Sequence, residues 1–228
     1  MAAGEGSRLR PLTERWAKPV LPIDGRPVIA TLLRELAAAG IREATVVTGH
    51  LAEHVESLVG DGSGFGVEVS FVRQPHRDGS ADAVARALAA RALLPALVTA
   101  ADTVYTPGDL GRFAEAFAAS GAAGAVAVRR DPPPSAARPP VRSRDGLVER
   151  VIDDDPANPL GSAPLWALGP DVAAFLDGLP GPPFELATAF QRAVDGGFRI
   201  AAFEIRKTRD LTDPFDLVEE NFPYLGAL

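Results

Sequence analysis

The chain has 228 residues, 46% hydrophobic and 23% charged, enough for one large domain or two small ones around a substantial core. A net charge of −7 argues against a nucleic-acid binder, which needs a basic face, and the absence of cysteine excludes disulfides, thiolate metal sites and a cysteine nucleophile. No N-terminal signal pattern is present, and the longest apolar run, residues 92–101, is too short for a bilayer and contains Pro95, so a cytoplasmic protein with no membrane partner is expected.

Apolar periods of 2 and 3.6 residues alternate along the chain, as in an α/β sheet wrapped by helices. The pattern predicts helices at 28–39, 52–59, 80–93 and 110–119, with strands at 44–48, 67–72, 96–100 and 125–129. Residues 131–140 hold five prolines and read as a loop. Beyond it come strands near 147–152 and 165–168, helices near 172–176 and 185–194, and a strand at 199–205. Asp213-Pro214 opens a last helix, with the aspartate as N-cap and proline at the first position. The reading is a nucleotide-binding half (1–130) and a smaller half (141–228) that closes over it within one domain.

Three segments carry chemistry. The opening turn, Gly4-Glu5-Gly6-Ser7, runs into Arg8 and Arg10, and Lys18 follows between two short apolar stretches, fixed by Pro19 and Pro22. Glycines let backbone N–H groups approach a phosphate, and the cations add charge to aim at it. It is neither a dinucleotide fingerprint, since Leu9 stands where a third glycine is needed, nor a Walker loop, since no GK[ST] follows. Gln74-Pro75-His76-Arg77-Asp78-Gly79 lies after a strand, where open α/β sheets bind ligands; an amide there can pair with a base edge. Asp102 ends the strand ALVTAAD and Asp210 follows another strand, so two carboxylates can converge on one hard cation. His50, His54 and His76 have no metal spacing.

The run GEGSRLRPLT with KPVLP strongly resembles the signature of the sugar-1-phosphate nucleotidyltransferases, and the form QPxxDGxA is similar to that of glucose-1-phosphate thymidylyltransferases. The resemblance implies a three-layer α/β/α nucleotidyltransferase fold with a mixed, mostly parallel, Rossmann-like sheet. It implies Mg²⁺-dependent transfer of a nucleotidyl group from an NTP, dTTP or UTP favoured, to a sugar 1-phosphate. On it Arg8 and Lys18 are catalytic, Ala3, Gly4, Gly6, Ser7, Gln74 and Gly79 bind the nucleotide, and Asp102 and Asp210 hold the metal. Asp154 and Glu185 are the sugar-side candidates. The partners implied are the NTP and the sugar 1-phosphate, with a homo-oligomer compatible and no nucleic acid.

The chain departs from that pattern at three places. Asp155 stands where the family has a lysine beside the sugar phosphate, and Pro164 where it has glycine. The chain also starts at Met1-Ala2-Ala3-Gly4, whereas family members lead into this turn with an apolar strand. The expectation is that the natural start lies upstream and that restoring such a strand raises the melting temperature. These departures leave a relative that binds nucleotide without turnover as the alternative.

Overall fold

The helical and extended periods resolve into elements close to the expected ones. In a computed structural model, which describes residues 1–135 and 139–222, Met1 and Ala2 lead into three short 3-10 turns, Ser7–Leu9, Leu12–Glu14 and Lys18–Val20. A small hairpin, β1 (Pro22–Ile23) and β2 (Arg26–Pro27), precedes α1 (Val28–Ala38), β3 (Glu43–Thr48), α2 (Ala52–Val59) and β4 (Glu68–Arg73). Then come α3 (Ser80–Ala89), β5 (Ala96–Thr99), β6 (Thr103–Tyr105), α4 (Asp109–Ser120) and β7 (Gly124–Arg129). The rest of the chain adds β8 (Arg142–Arg144), β9 (Leu147–Arg150), β10 (Gly161–Leu168), α5 (Pro170–Ala173) and α6 (Leu186–Asp195). It closes with β11 (Ile200–Glu204), β12 (Thr208–Asp210) and α7 (Pro214–Asn221). Of the expected loop at 131–140, residues 136–138 lie outside the described residues.

Three differences have physical causes. Helix α3 stops at Ala89, four residues short of expectation, because the chain turns at Arg91 in the left-handed region (φ 72°) on its way to Pro95. Strand β10 is longer than expected and carries Pro164 inside it. Its register with β7 shifts between Ser162 and Trp166, which accommodates a residue with no N–H to give. The strands β6 and β12, three residues each, were not expected at all.

The architecture is the expected three-layer α/β/α arrangement with a mixed sheet. Six strands run in the order β5-β10-β7-β11-β9-β8, so one sheet draws on both parts of the chain. The β7–β11 pair is parallel and β10 is antiparallel to both neighbours. Helices α1 and α4 cover one face through residues such as Leu33, Leu110 and Phe113, and α3, α5 and α6 cover the other through Val84, Val172 and Phe190. No helix of the described residues is long and apolar enough to cross a membrane.

A separate parallel pair, β3–β4, is joined to the six-stranded sheet, among the described residues, through Met1 and Ala2. Ala2 bridges Thr48 in parallel, its N–H donating to the Val47 carbonyl at 2.7 Å. On the other side the Met1 amine donates to the Thr99 carbonyl at 2.7 Å, and the Met1 carbonyl accepts from Ala101 N–H at 2.8 Å. Below this stitch the edges of β3 and β5 border a cavity of about 640 Å³, with α1 and α3 side chains on its two faces.

Candidate active site

The opening turn is folded back by its own side chains. Gly6 adopts φ 62°, and a Cβ there would lie 3.0 Å from Thr13 Cγ2 and 3.3 Å from Lys18 Cβ. The Thr13 hydroxyl donates to the Gly6 carbonyl at 2.9 Å, and His50 Nε2 donates to the Thr13 carbonyl at 2.7 Å. His54 Nδ1 accepts from Ala17 N–H at 3.4 Å. Two histidines therefore clamp the loop rather than ligate anything. The Ala3 carbonyl accepts from His50 N–H at 3.3 Å, which fixes the start of the turn. This folding carries Lys18 to Asp102, with Nζ 2.6 Å from Oδ2.

Asp102 and Asp210, 108 positions apart in sequence, meet on one ribbon. Asp102 sits immediately before β6, and β12 pairs antiparallel with β6 so that Asp210 lies opposite Thr103. Both acids line a cavity of about 340 Å³ together with Arg8, Lys18, Arg129 and Glu185. Behind them stands Tyr105, fully buried, 2.7 Å from the Thr99 hydroxyl and donating to the Pro164 carbonyl at 3.0 Å. Burial pushes its phenol well above the usual value, and the nearby charges of Asp102, Asp210 and Arg129 act on it too. Pro164 thus supplies a carbonyl strut beneath the acids.

The donor set suits a hard cation that keeps open positions. Two carboxylates face one cavity, and no group of three or more His, Cys, Asp or Glu among the described residues could form a closed cage. Mg²⁺ is held in this way, by one or two carboxylates with phosphate oxygens and water completing the octahedron.

The segment after β4 is built as tightly. Gln74 is 7% exposed, and its Nε2 donates to the Gly79 carbonyl at 2.9 Å and to Asp82 Oδ2 at 2.8 Å. Both partners only accept, so the nitrogen is oriented by them and Oε1 is the amide atom left over. Gly79 has φ 102° and presses on the Phe184 backbone, with Ala81 N–H donating to the Phe184 carbonyl at 2.8 Å. Ser80 Oγ donates to Glu185 Oε2 at 2.6 Å and accepts from Leu186 N–H at 2.8 Å. Glu5 of the opening turn accepts from Arg77 at 3.1 Å, so all three sequence segments are tied together.

Of the expected site residues, Arg8, Lys18, Asp102, Asp210 and Glu185 line the cavity. Ala3, Gly4, Gly6, Ser7, Gln74 and Gly79 lie outside its lining, in the neighbouring turn and β4–α3 segment. Asp154 is exposed and does not line the cavity, and Asp155 caps a turn by accepting from Ala157 N–H at 2.9 Å. Asp153 is instead the buried acid of that run, holding Arg142 and accepting from Asn158 at 2.9 Å. Sequence reasoning missed Arg129, 1% exposed on the cavity wall, and Asp82 and Ser80, which orient Gln74 and Glu185. An arginine ending the otherwise apolar run AVAV was the one available signal for Arg129.

A family model described as nucleotidyl transferase matches residues 1–137. The chain belongs to the nucleotidyl transferase family. Among relatives, CMP-5'-(3-aminopropyl)phosphonate synthase of Streptomyces rubellomurinus is 35% identical over 155 residues, which is 68% of this chain and 24% of that protein. Glucose-1-phosphate thymidylyltransferase of Streptomyces griseus is 42% identical over 74 residues, 32% of this chain and 21% of that protein. The matches thus span about a quarter or less of those relatives' length. Among solved structures, a UDP-glucose pyrophosphorylase complexed with UDP-glucose superposes with a TM-score of 0.82 at 21% identity, over 100% of this nucleotidyl transferase chain and 97% of the other. That likeness shows the fold.

Proposed function

We infer that this chain transfers a nucleotidyl group from an NTP to a sugar 1-phosphate, with Mg²⁺, giving an NDP-sugar and pyrophosphate. The observation that carries the reading is the β6–β12 ribbon, where Asp102 and Asp210 share a cavity with Arg8 and Lys18. An oxygen of the acceptor phosphate attacks the α-phosphorus in line, the bond to the bridging oxygen breaks, and pyrophosphate leaves with its electrons. Arg8 and Lys18 neutralise the triphosphate and the charge that builds on it, so catalysis is positioning and electrostatics with no covalent intermediate. Mg²⁺ on Asp102 and Asp210 would supply further charge neutralisation at the α-phosphate. The opening residues Ala3, Gly4, Gly6 and Ser7 offer backbone groups to the phosphates, and Gln74 and Gly79 receive the base.

The committed amide nitrogen of Gln74 leaves Oε1 to accept from a base, which suits the imide N–H of thymine or uracil and supports dTTP or UTP. On the acceptor side, Glu185 is held by Ser80 for a sugar hydroxyl, and the buried cation Arg129 can meet the acceptor phosphate where Asp155 replaces the usual lysine. The relative named as a CMP-phosphonate synthase is the reason to include CTP and a phosphonate in any panel.

The test is pyrophosphate release with Mg²⁺ across four NTPs and CTP-matched acceptors, sugar 1-phosphates and a phosphonate. Turnover with dTTP or UTP is expected, lost on chelation and reduced at least ~100-fold in Asp102→Ala, in the range seen when one transition-state stabiliser is removed. Tight nucleotide binding with no release for any acceptor would establish the non-catalytic alternative.

A further inference from the structure

Asp82 does not line the cavity that holds Asp102 and Asp210, and it stands behind Gln74. It lies in the first turn of α3, and its side chain is 19% exposed. One oxygen, Oδ2, accepts from Gln74 Nε2 at 2.8 Å and from Arg86 Nε, one helical turn further on, at 2.6 Å. Burial pushes the Asp82 carboxyl up, but the hydrogen bonds from Arg86 and Gln74 together push it further down. It stays ionised and has no proton to donate.

One hydrogen bond leaves an amide free to turn about it, and a second fixes its plane. For Gln74 the Gly79 carbonyl supplies the first acceptor and Asp82 the second. Exchanging the two ends of the amide would set Oε1 against both acceptors, which loses both bonds and adds repulsion. Oε1 has no hydrogen-bond partner among the described residues and is not shut away from solvent, so it is the atom Gln74 shows to a ligand. We propose that Asp82 is a positioning residue that sets base choice. By holding the Gln74 amide in one orientation, it makes the site select uracil or thymine, whose ring N3–H donates, against cytosine, whose N3 accepts. An acceptor fixed in place faces a second acceptor when the donor is missing, and such a mismatch is rejected. Arg86 belongs to the device because it anchors the same oxygen. The inference rests on the reading of Gln74 as the base contact.

The test is equilibrium binding of UTP and of CTP with Mg²⁺ and no acceptor, so that no turnover is needed. The wild-type chain is expected to bind UTP at least ~10-fold more tightly than CTP, the worth of about one well-placed hydrogen bond. In Asp82→Leu that ratio should fall close to one, mainly through weaker UTP binding, and Asp82→Ala should act in the same direction if Asp82→Leu does not fold. Asp82→Asn, whose side-chain oxygen can still accept from Gln74 and Arg86, should keep most of the preference. A merely structural role would weaken both nucleotides alike and leave the ratio unchanged. The proposal is overturned if the ratio survives in Asp82→Leu or Asp82→Ala, if Asp82→Asn loses it as completely, or if the wild-type chain binds both nucleotides equally. A wild-type chain that binds neither nucleotide overturns the reading of the site itself, and this role for Asp82 with it.

Discussion

Gly79 is where the backbone leaves least room. A Cβ at that position would run into the Phe184 backbone, and φ 102° is strained for any other residue. Gly79→Ala is therefore expected to cost at least ~1–3 kcal/mol in denaturant unfolding and to weaken nucleotide binding, since Gln74 is oriented by the Gly79 carbonyl. A variant of unchanged stability would show that the Gly79–Phe184 contact is not maintained in solution. Asp153 gives a pH signature. Hydrogen bonds from Asn158 and then Arg142 hold its carboxyl below the usual range, against the opposing effect of desolvation. A depressed folded-state value means that its stabilisation is present above the ordinary carboxylate range near pH 4 and is lost as pH falls through the lower value. Asp153→Asn should flatten the acid limb of the stability curve below about pH 4, with Asp154→Asn as the exposed control. Neighbouring acids in one run look alike in sequence; which is buried depends on the Arg142 strand beside them. Arg8, Lys18, Asp102 and Asp210, singled out from the sequence, come together around one cavity, while the place of Arg129 on its wall and the bond of Asp82 to Gln74 depend on long-range packing that only the fold supplies.

At the scale of elements, helices α1, α2, α4 and α6 fall where the 3.6-residue period places them, because each buries one apolar stripe. The ribbon that carries the site was not legible. Strands β6 and β12 have three residues each and form a two-stranded ribbon among the described residues, too short for any period to register. Helix α7 compensates by anchoring β12. Asp213 caps it, accepting from Phe215 N–H at 2.7 Å, while Asp216 accepts from Asp213 N–H at 2.9 Å in a capping box. Arg209 of β12 bonds Asp24 of the β1–β2 turn and Glu220 of α7, and Asn221 accepts from Gly25 N–H at 2.8 Å. Asp213→Ala should lower stability by ~1 kcal/mol, measured by thermal or urea unfolding. Ser or Asn at 213 should restore most of it.

For the whole molecule, the sequence indicated a layered α/β protein but not the order of its strands. Placing β10 between β5 and β7 is a long-range pairing with no local trace, and the bulge at Pro164 follows from that placement. Among the described residues, Met1 and Ala2 are what join the β3–β4 pair to the larger sheet. The ion pair between Lys18 and Asp102 has a consequence for the order of arrival at the site. On the proposed function the lysine would serve as a stand-in cation: a free divalent ion would have to displace it to reach both acids, whereas an incoming triphosphate would offer Lys18 a new counter-charge and bring its own metal. Titrating Mn²⁺ without nucleotide should thus give weak occupancy that strengthens in Lys18→Met, and adding nucleotide should reverse the ranking of the two proteins. Wild-type chain that takes up the ion equally well with Lys18 intact would show that the lysine guards nothing; the opposite result would mean that the resting protein balances its own charge and takes metal together with substrate.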